Sequence, residues 1–236
     1  MWPDIKWPGF NWPDILPPAI VDLIVAATGE TLLMVAVAAS IATLLGLPLG
    51  VFLATSGRGE LFAAPWANRV LGAVVNATRS TPFIILVVAI IPFTRLVAGT
   101  SIGTSAAIVP LTVAAVPFFA RLVEGTVREV DGGLVEAARA FGASPLQIVL
   151  KVLVPEALPG IVLGLTLAVV SLIGYSAMVG AVGGGGLGDL GIRYGYQRFM
   201  PDVMAAVVVV LIVLVQAVQT AGDRLARRLN KRLRHA

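Results

Sequence analysis

Two polar clusters interrupt a strongly apolar chain. The first is Glu136-Ala137-Ala138-Arg139-Ala140-Phe141-Gly142, followed by Ser144-Pro145-Leu146-Gln147 and closing on Val152-Leu153-Val154-Pro155. Gly142 can take the left-handed conformation that ends a helix, and Ser144 with Gln147 around Pro145 forms a capping box that starts another. The spacing predicts two short helices meeting at Gly142. On the first, Leu134, Ala138 and Phe141 share one face while Glu136 and Arg139 sit three apart on the other, so this helix is built to lie against something rather than to react. The second cluster is Asn76, Thr78, Arg79, Ser80, Thr81 and Pro82, inside an apolar run. An arginine at mid-membrane costs about 2.5–3.5 kcal/mol, which makes Arg79 a candidate for function; the competing reading puts it at the cytoplasmic interface, with the span starting at Ser80.

Composition narrows the chemistry. The 236 residues are 58% hydrophobic and 13% charged, a balance of membrane spans rather than of a soluble core. There is no Cys, and the one His is His235 in the terminal tail, so disulfides, thiolate metal sites, Ser–His pairs and metal-hydrolase centres are all without their parts. A carboxylate-only site would need paired acids that the apolar runs do not supply. The net charge of +4 does not point to nucleic acid, because the basic residues cluster beside apolar spans, where they set orientation and meet anionic lipid. The run Gly183-Gly184-Gly185-Gly186-Leu187-Gly188 fits the dinucleotide pattern Gly-x-Gly-x-x-Gly, but no strand precedes it and no Gly-Lys-Ser/Thr ending follows, so nucleotide binding by this chain is not expected. Gly183, Gly184, Gly185 and Gly186 read either as an ordinary turn or as a bendable external gate.

The elements that carry these clusters follow from the apolar runs. Residues 1–19 repeat Trp-Pro-Asp-Ile and read as an external interfacial arm, since Trp prefers headgroup depth. Residues 20–222 hold five spans, making an all-α membrane protein. The first lies within Ile20–Ala54, with Gly46, Pro48 and Gly50 punctuating its far end. The second runs from about Val70 to Val97, the third from Thr104 to Val127 with Pro110 and Pro117 inside, the fourth from Leu158 to Val182, and the fifth from Val203 to Ala221. The polar loop is about 129–156, and 223–236 is a basic tail. With that loop inside, the inner segments carry Arg58, Arg69, Arg121, Arg128, Arg139, Lys151 and six tail residues, against Lys6, Arg95, Arg193 and Arg198 outside. The positive-inside rule therefore predicts an external N-terminus and a cytoplasmic C-terminus.

Glu-Ala-Ala, three residues, Gly, then nine residues before an aliphatic-x-aliphatic-Pro resembles the cytoplasmic signature of bacterial ABC-importer permeases. Val152 and Val154 stand where Ile and Leu are commoner, swaps that keep apolar volume. The likeness extends through Arg79-Ser80-Thr81-Pro82-Phe83-Ile84-Ile85-Leu86, Ile91-Pro92-Phe93-Thr94-Arg95, Ala107-Ile108-Val109-Pro110, Gly174-Tyr175-Ser176-Ala177-Met178, Tyr194-Gly195-Tyr196 and Ala221-Gly222-Asp223-Arg224. These look like the methionine-importer permease family, over roughly residues 20–230.

The resemblance implies a type I ABC-importer permease fold in the bacterial inner membrane. Its implied partners are a second copy of itself, two cytoplasmic ATPase subunits, an external substrate-binding lipoprotein and membrane lipid, with no nucleic acid. ATP and Mg would be bound by the ATPase, leaving this subunit non-catalytic. Glu136, Ala137, Ala138, Arg139, Phe141 and Gly142 would form the ATPase-coupling surface. Arg79, Ser80, Thr81, Pro82, Tyr175, Ser176 and Met178 are the candidate translocation pathway. Permeases for other amino acids or betaine-type osmolytes are the alternative. A secondary transporter or channel fits less well, because no Asp or Glu sits centrally in spans two to five.

Overall fold

Backbone amides that leave water must be paired within the chain, and a single apolar segment achieves this only as a helix. The computed structural model describes residues 17–230, and there helix follows helix with short connections. Residues 1–16 of the expected interfacial arm and the last residues of the basic tail lie outside the described residues, while Pro18 and Ala19 already belong to the first helix.

The first helix, α1, spans Pro18–Thr55. Gly46, Pro48 and Gly50 do not end it. A Cβ on Gly46 would stand 3.0 Å from the Val116 carbonyl, and one on Gly50 would stand 2.6 Å from Val123 Cβ. These glycines are therefore contact points that let α1 lie backbone to backbone on a later helix. Helix α2 spans Pro65–Ser80, α3 Phe83–Ala89 and α4 Ile91–Ala98. The single second span expected over 70–97 is thus divided, and α2 meets α3 at 104°. Thr81, before Pro82, is extended at φ −80° and ψ 125°, because the proline ring excludes the helical conformation from its predecessor here.

Helix α5, Thr104–Arg128, takes both its prolines internally and buries Pro110, Pro117 and Phe119. It is the hub on which α1, α2, α3, α4 and a later long helix all pack. Helix α6 is Gly132–Ala140 and α7 is Pro145–Ile148. A π turn at Val149–Leu153 carries α7 without a break into α8, Val154–Ala181. The second short helix expected after Gly142 is therefore the start of the fourth span, a continuous 37 residues from Pro145 to Ala181. The wide turn ends just before Pro155, the residue that cannot donate to a regular ladder.

Gly160 lets α8 close on α5, since a Cβ there would fall on the Thr126 side chain. Helix α9, Gly186–Leu190, runs through a second π turn at Gly191–Gln197 before α10, Pro201–Leu229. Only 11% of the most apolar window of α10 is buried, which suits a helix facing lipid. Among the described residues four helices are long and apolar enough to cross a membrane, and five spans result when α2 and α3 count as one.

Candidate functional site

The polar loop folds by the local rules its residues set. Asp131 caps α6 by accepting from the Gly133 N–H at 2.8 Å. Gly142 has φ 78°, and its N–H returns to the Arg139 carbonyl at 2.9 Å. Ser144 N–H donates to Gln147 Oε1 at 2.9 Å while Gln147 N–H donates to Ser144 Oγ, completing the capping box. The faces of α6 differ from the expected ones. Val135 and Ala138 pack on a core cluster that includes Ile148, Val149 and Leu153. Leu134 and Phe141 do not join Ala138 in that contact: Phe141 is 91% exposed, and Leu146 and Leu150 on the following helix are each 59% exposed. Glu136, Ala137, Arg139 and Gly142 are exposed around them. The chain thus presents an apolar ridge rimmed by one acid and one base, on an element with no buried residue of its own. Such a ridge is suited to a partner's groove.

The elbow between α2 and α3 builds a second feature. Thr78, Arg79, Thr81, Phe83, Leu86, Ala114, Phe118 and Tyr175 line a cleft of about 140 Å³. Tyr175 stacks on Phe83 with ring centroids 4.4 Å apart, and the Arg79 guanidinium lies 5.9 Å from the Phe118 ring centroid. Phe118 stands three residues before Arg121 on α5, so the Arg79 guanidinium lies beside that helix about one turn before its first terminal charge. Arg79, Thr81 and Tyr175 therefore come together. Ser80 is exposed and its hydroxyl returns to the Asn76 carbonyl, while Pro82 sits exposed at the bend. Ser176 is buried with its hydroxyl donated to the Ile173 carbonyl at 2.7 Å, and Met178 is exposed and takes no part in the cleft. Phe83 and Phe118 belong to the cleft and escaped sequence reasoning, because they looked like ordinary apolar positions.

The glycine run is closely packed. Gly183, Gly185 and Gly186 all have positive φ, so the path requires glycine. Gly186 N–H donates to Glu30 Oε2 at 2.7 Å, Leu187 N–H donates to Thr31 Oγ1 at 2.9 Å, and Gly103 N–H donates to the Gly183 carbonyl at 2.8 Å. The amides of Gly186 and Leu187 are thus occupied by side chains of α1. Beyond them Arg193 pairs with Asp189, and that hydrogen bond raises the arginine pKa above its ordinary value.

Residues 46–235 match the family model of the binding-protein-dependent transport system inner membrane component. The chain belongs to that family. It is a multi-pass inner membrane protein, as its apolar helices require. This inner membrane component is 56% identical over 211 residues to a probable D-methionine transport system permease protein MetI of Vibrio cholerae, covering 89% of this chain and 94% of the relative. It is 48% identical over 217 residues to the protein of the same description from Pasteurella multocida, covering 92% and 100%. Among solved structures it superimposes with a TM-score of 0.89 on a chain of the MetNI methionine ABC transporter in an inward-facing conformation, at 50% identity over 92% of this chain and 100% of that one.

Proposed function

We propose that this chain is the non-catalytic permease subunit of an ATP-driven methionine importer, working as a homodimer with two cytoplasmic ATPase subunits and an external substrate-binding lipoprotein. The observation that carries the reading is the ridge of Leu134, Phe141, Leu146 and Leu150, which this chain builds with full local capping and leaves uncovered. Seated in a groove of the ATPase, the ridge moves when ATP and Mg, held by that partner, draw the ATPase pair together. α7 continues through the π turn into α8, so the displacement passes into the fourth span along one unbroken helix. Two copies related by a twofold axis enclose a pathway that five spans of one chain are too few to surround. Access then alternates as each half rocks.

The N-terminus is external and the C-terminus cytoplasmic in this reading, following the distribution of Lys and Arg. Arg79, Thr81 and Tyr175 face the pathway at the elbow. The substrate assignment follows the relatives described as D-methionine permeases and the methionine transporter structure. Vesicles containing the complete complex, loaded with ATP and given labelled methionine with the binding protein, test it. Methionine accumulation that requires ATP is expected. Accumulation of another amino acid or a betaine in its place would overturn the substrate and leave the importer, and no ATP-dependent uptake of any of them would overturn both.

A further inference from the structure

Glu124 is an acid that neither the ridge nor the cleft uses. It lies on α5 about one turn before the helix ends and is 3% exposed. A carboxylate so placed is unfavourable unless it is paired and hydrogen-bonded. Its oxygens are divided between two arginines of its own helix, Arg121 three residues earlier and Arg128 four residues later at 2.8 Å. Each arginine then reaches a different helix. Arg121 donates to Asn76 Oδ1 on α2 at 2.5 Å, and Arg128 donates to the Leu53 carbonyl on α1 at 3.2 Å. Asn68, in the first turn of α2, donates to the same carbonyl at 2.7 Å and to Ser56 Oγ at 3.0 Å. A planar guanidinium offers donors in a fixed fork, so pinning one arm on Glu124 aims the other at Asn76.

The place of this node in the chain gives it meaning. Arg128 is three residues before Asp131, the cap of α6, and Asn76 is three residues before Arg79 at the elbow. Within the described chain α2 buries only Val75, so apolar packing does little to hold it on α5. We infer that Glu124 is a positioning residue for transport: by holding Arg121 on Asn76 it carries displacement of the α6–α7 ridge through the end of α5 to the α2–α3 elbow and its cleft. This rests on the ridge being the ATPase-docking surface.

The test is labelled methionine accumulated per ATP hydrolysed, in vesicles containing permease, ATPase and binding protein. Asn76→Ala removes the acceptor on α2 at an exposed position. It should retain the ATPase and hydrolyse ATP near the wild-type rate while the ratio falls about fivefold or more, the lower end of usual coupling between sites. Asn76→Asp keeps an acceptor and should keep the ratio. Glu124→Gln should lower the ratio as Asn76→Ala does, and the double variant should be no worse than either, because the two act on one contact. Should Glu124→Gln fail to assemble, the Asn76 pair decides alone. A wild-type ratio in Asn76→Ala, an equal loss in Asn76→Asp, or a parallel fall of hydrolysis and uptake overturns the inference. Loss of the ATPase from the wild-type permease on purification would instead overturn the docking reading, and this inference with it.

Discussion

Gly142 allows the docking surface to be perturbed by backbone conformation alone. Its φ is 78°, and a Cβ built there meets nothing within 4 Å. A Cβ at this position meets no other part of the chain, so the cost of adding one comes from the left-handed dihedral, about 1–2 kcal/mol for an ordinary L residue. Asn tolerates that region better than most, whereas a β-branched residue tolerates it worst. When only the turn with Gly142 left-handed presents Phe141 and Leu146 on one ridge, apparent affinity for the ATPase falls in proportion to the population of that turn. The expected weakening is therefore roughly 5–30-fold for Gly142→Val, less for Gly142→Ala and least for Gly142→Asn. Titrating the purified ATPase onto permease in nanodiscs, with dissociation constants for the four proteins, measures the series. Equal affinities for Gly and Val, or an Asn variant as weak as the Val one, would refute the conformational account.

Two further outcomes separate packing from topology. Gly50→Ala should lower the melting temperature of the solubilised permease by roughly 2–12 °C, because overpacking costs about 1–3 kcal/mol and the new Cβ would meet the Ala120 carbonyl as well as the Val123 side chain, while Gly174→Ala, whose Cβ meets nothing within 4 Å, should leave it unchanged. Equal melting of the two variants would count against close α1–α5 packing. In this cysteine-free chain, a single cysteine at Tyr196 should react with an impermeant maleimide in intact spheroplasts, and one at Ser144 should not. Labelling at Ser144 would invert the proposed orientation.

Where a feature depends on neighbours in the sequence, it was legible there. The capping box of Ser144 and Gln147 and the positive φ of Gly142 were both readable from residue type and spacing. The extent of α5 followed from its apolar run, whereas α10 continues past Ala221, where the apolar run ended, through part of the expected basic tail to Leu229. The break at Thr81 was not readable, because proline alone does not decide between a kink and a break. Pro48, Pro110, Pro117 and Pro159 all lie inside helices, while Pro82 follows an extended residue. Gly46 and Gly50 looked like punctuation because their partner, α5, is about seventy residues away in the chain. Separation in the chain also hid Glu124, whose arginines reach partners 45 and 75 residues away. Arg121, Glu124 and Arg128 at intervals of three and four were a visible signal of one charged face, yet only Asn76 and the Leu53 carbonyl show that this face turns inward.

The contacts of Glu30 and Thr31 with the amides of Gly186 and Leu187 join positions 156 residues apart. A ribosome adding about 5–20 residues per second needs on the order of ten seconds to supply that length. During that interval α1 is already made and its Glu30 carboxylate has no amide to receive. Gly183, Gly185 and Gly186 cannot take their left-handed path for any gain until α1 stands beside them, and α9 is too short to persist alone. Closure of this end of the bundle is therefore a late event in biogenesis, and a chain truncated before Gly186 would leave α1 in the membrane with its polar turn still unmated.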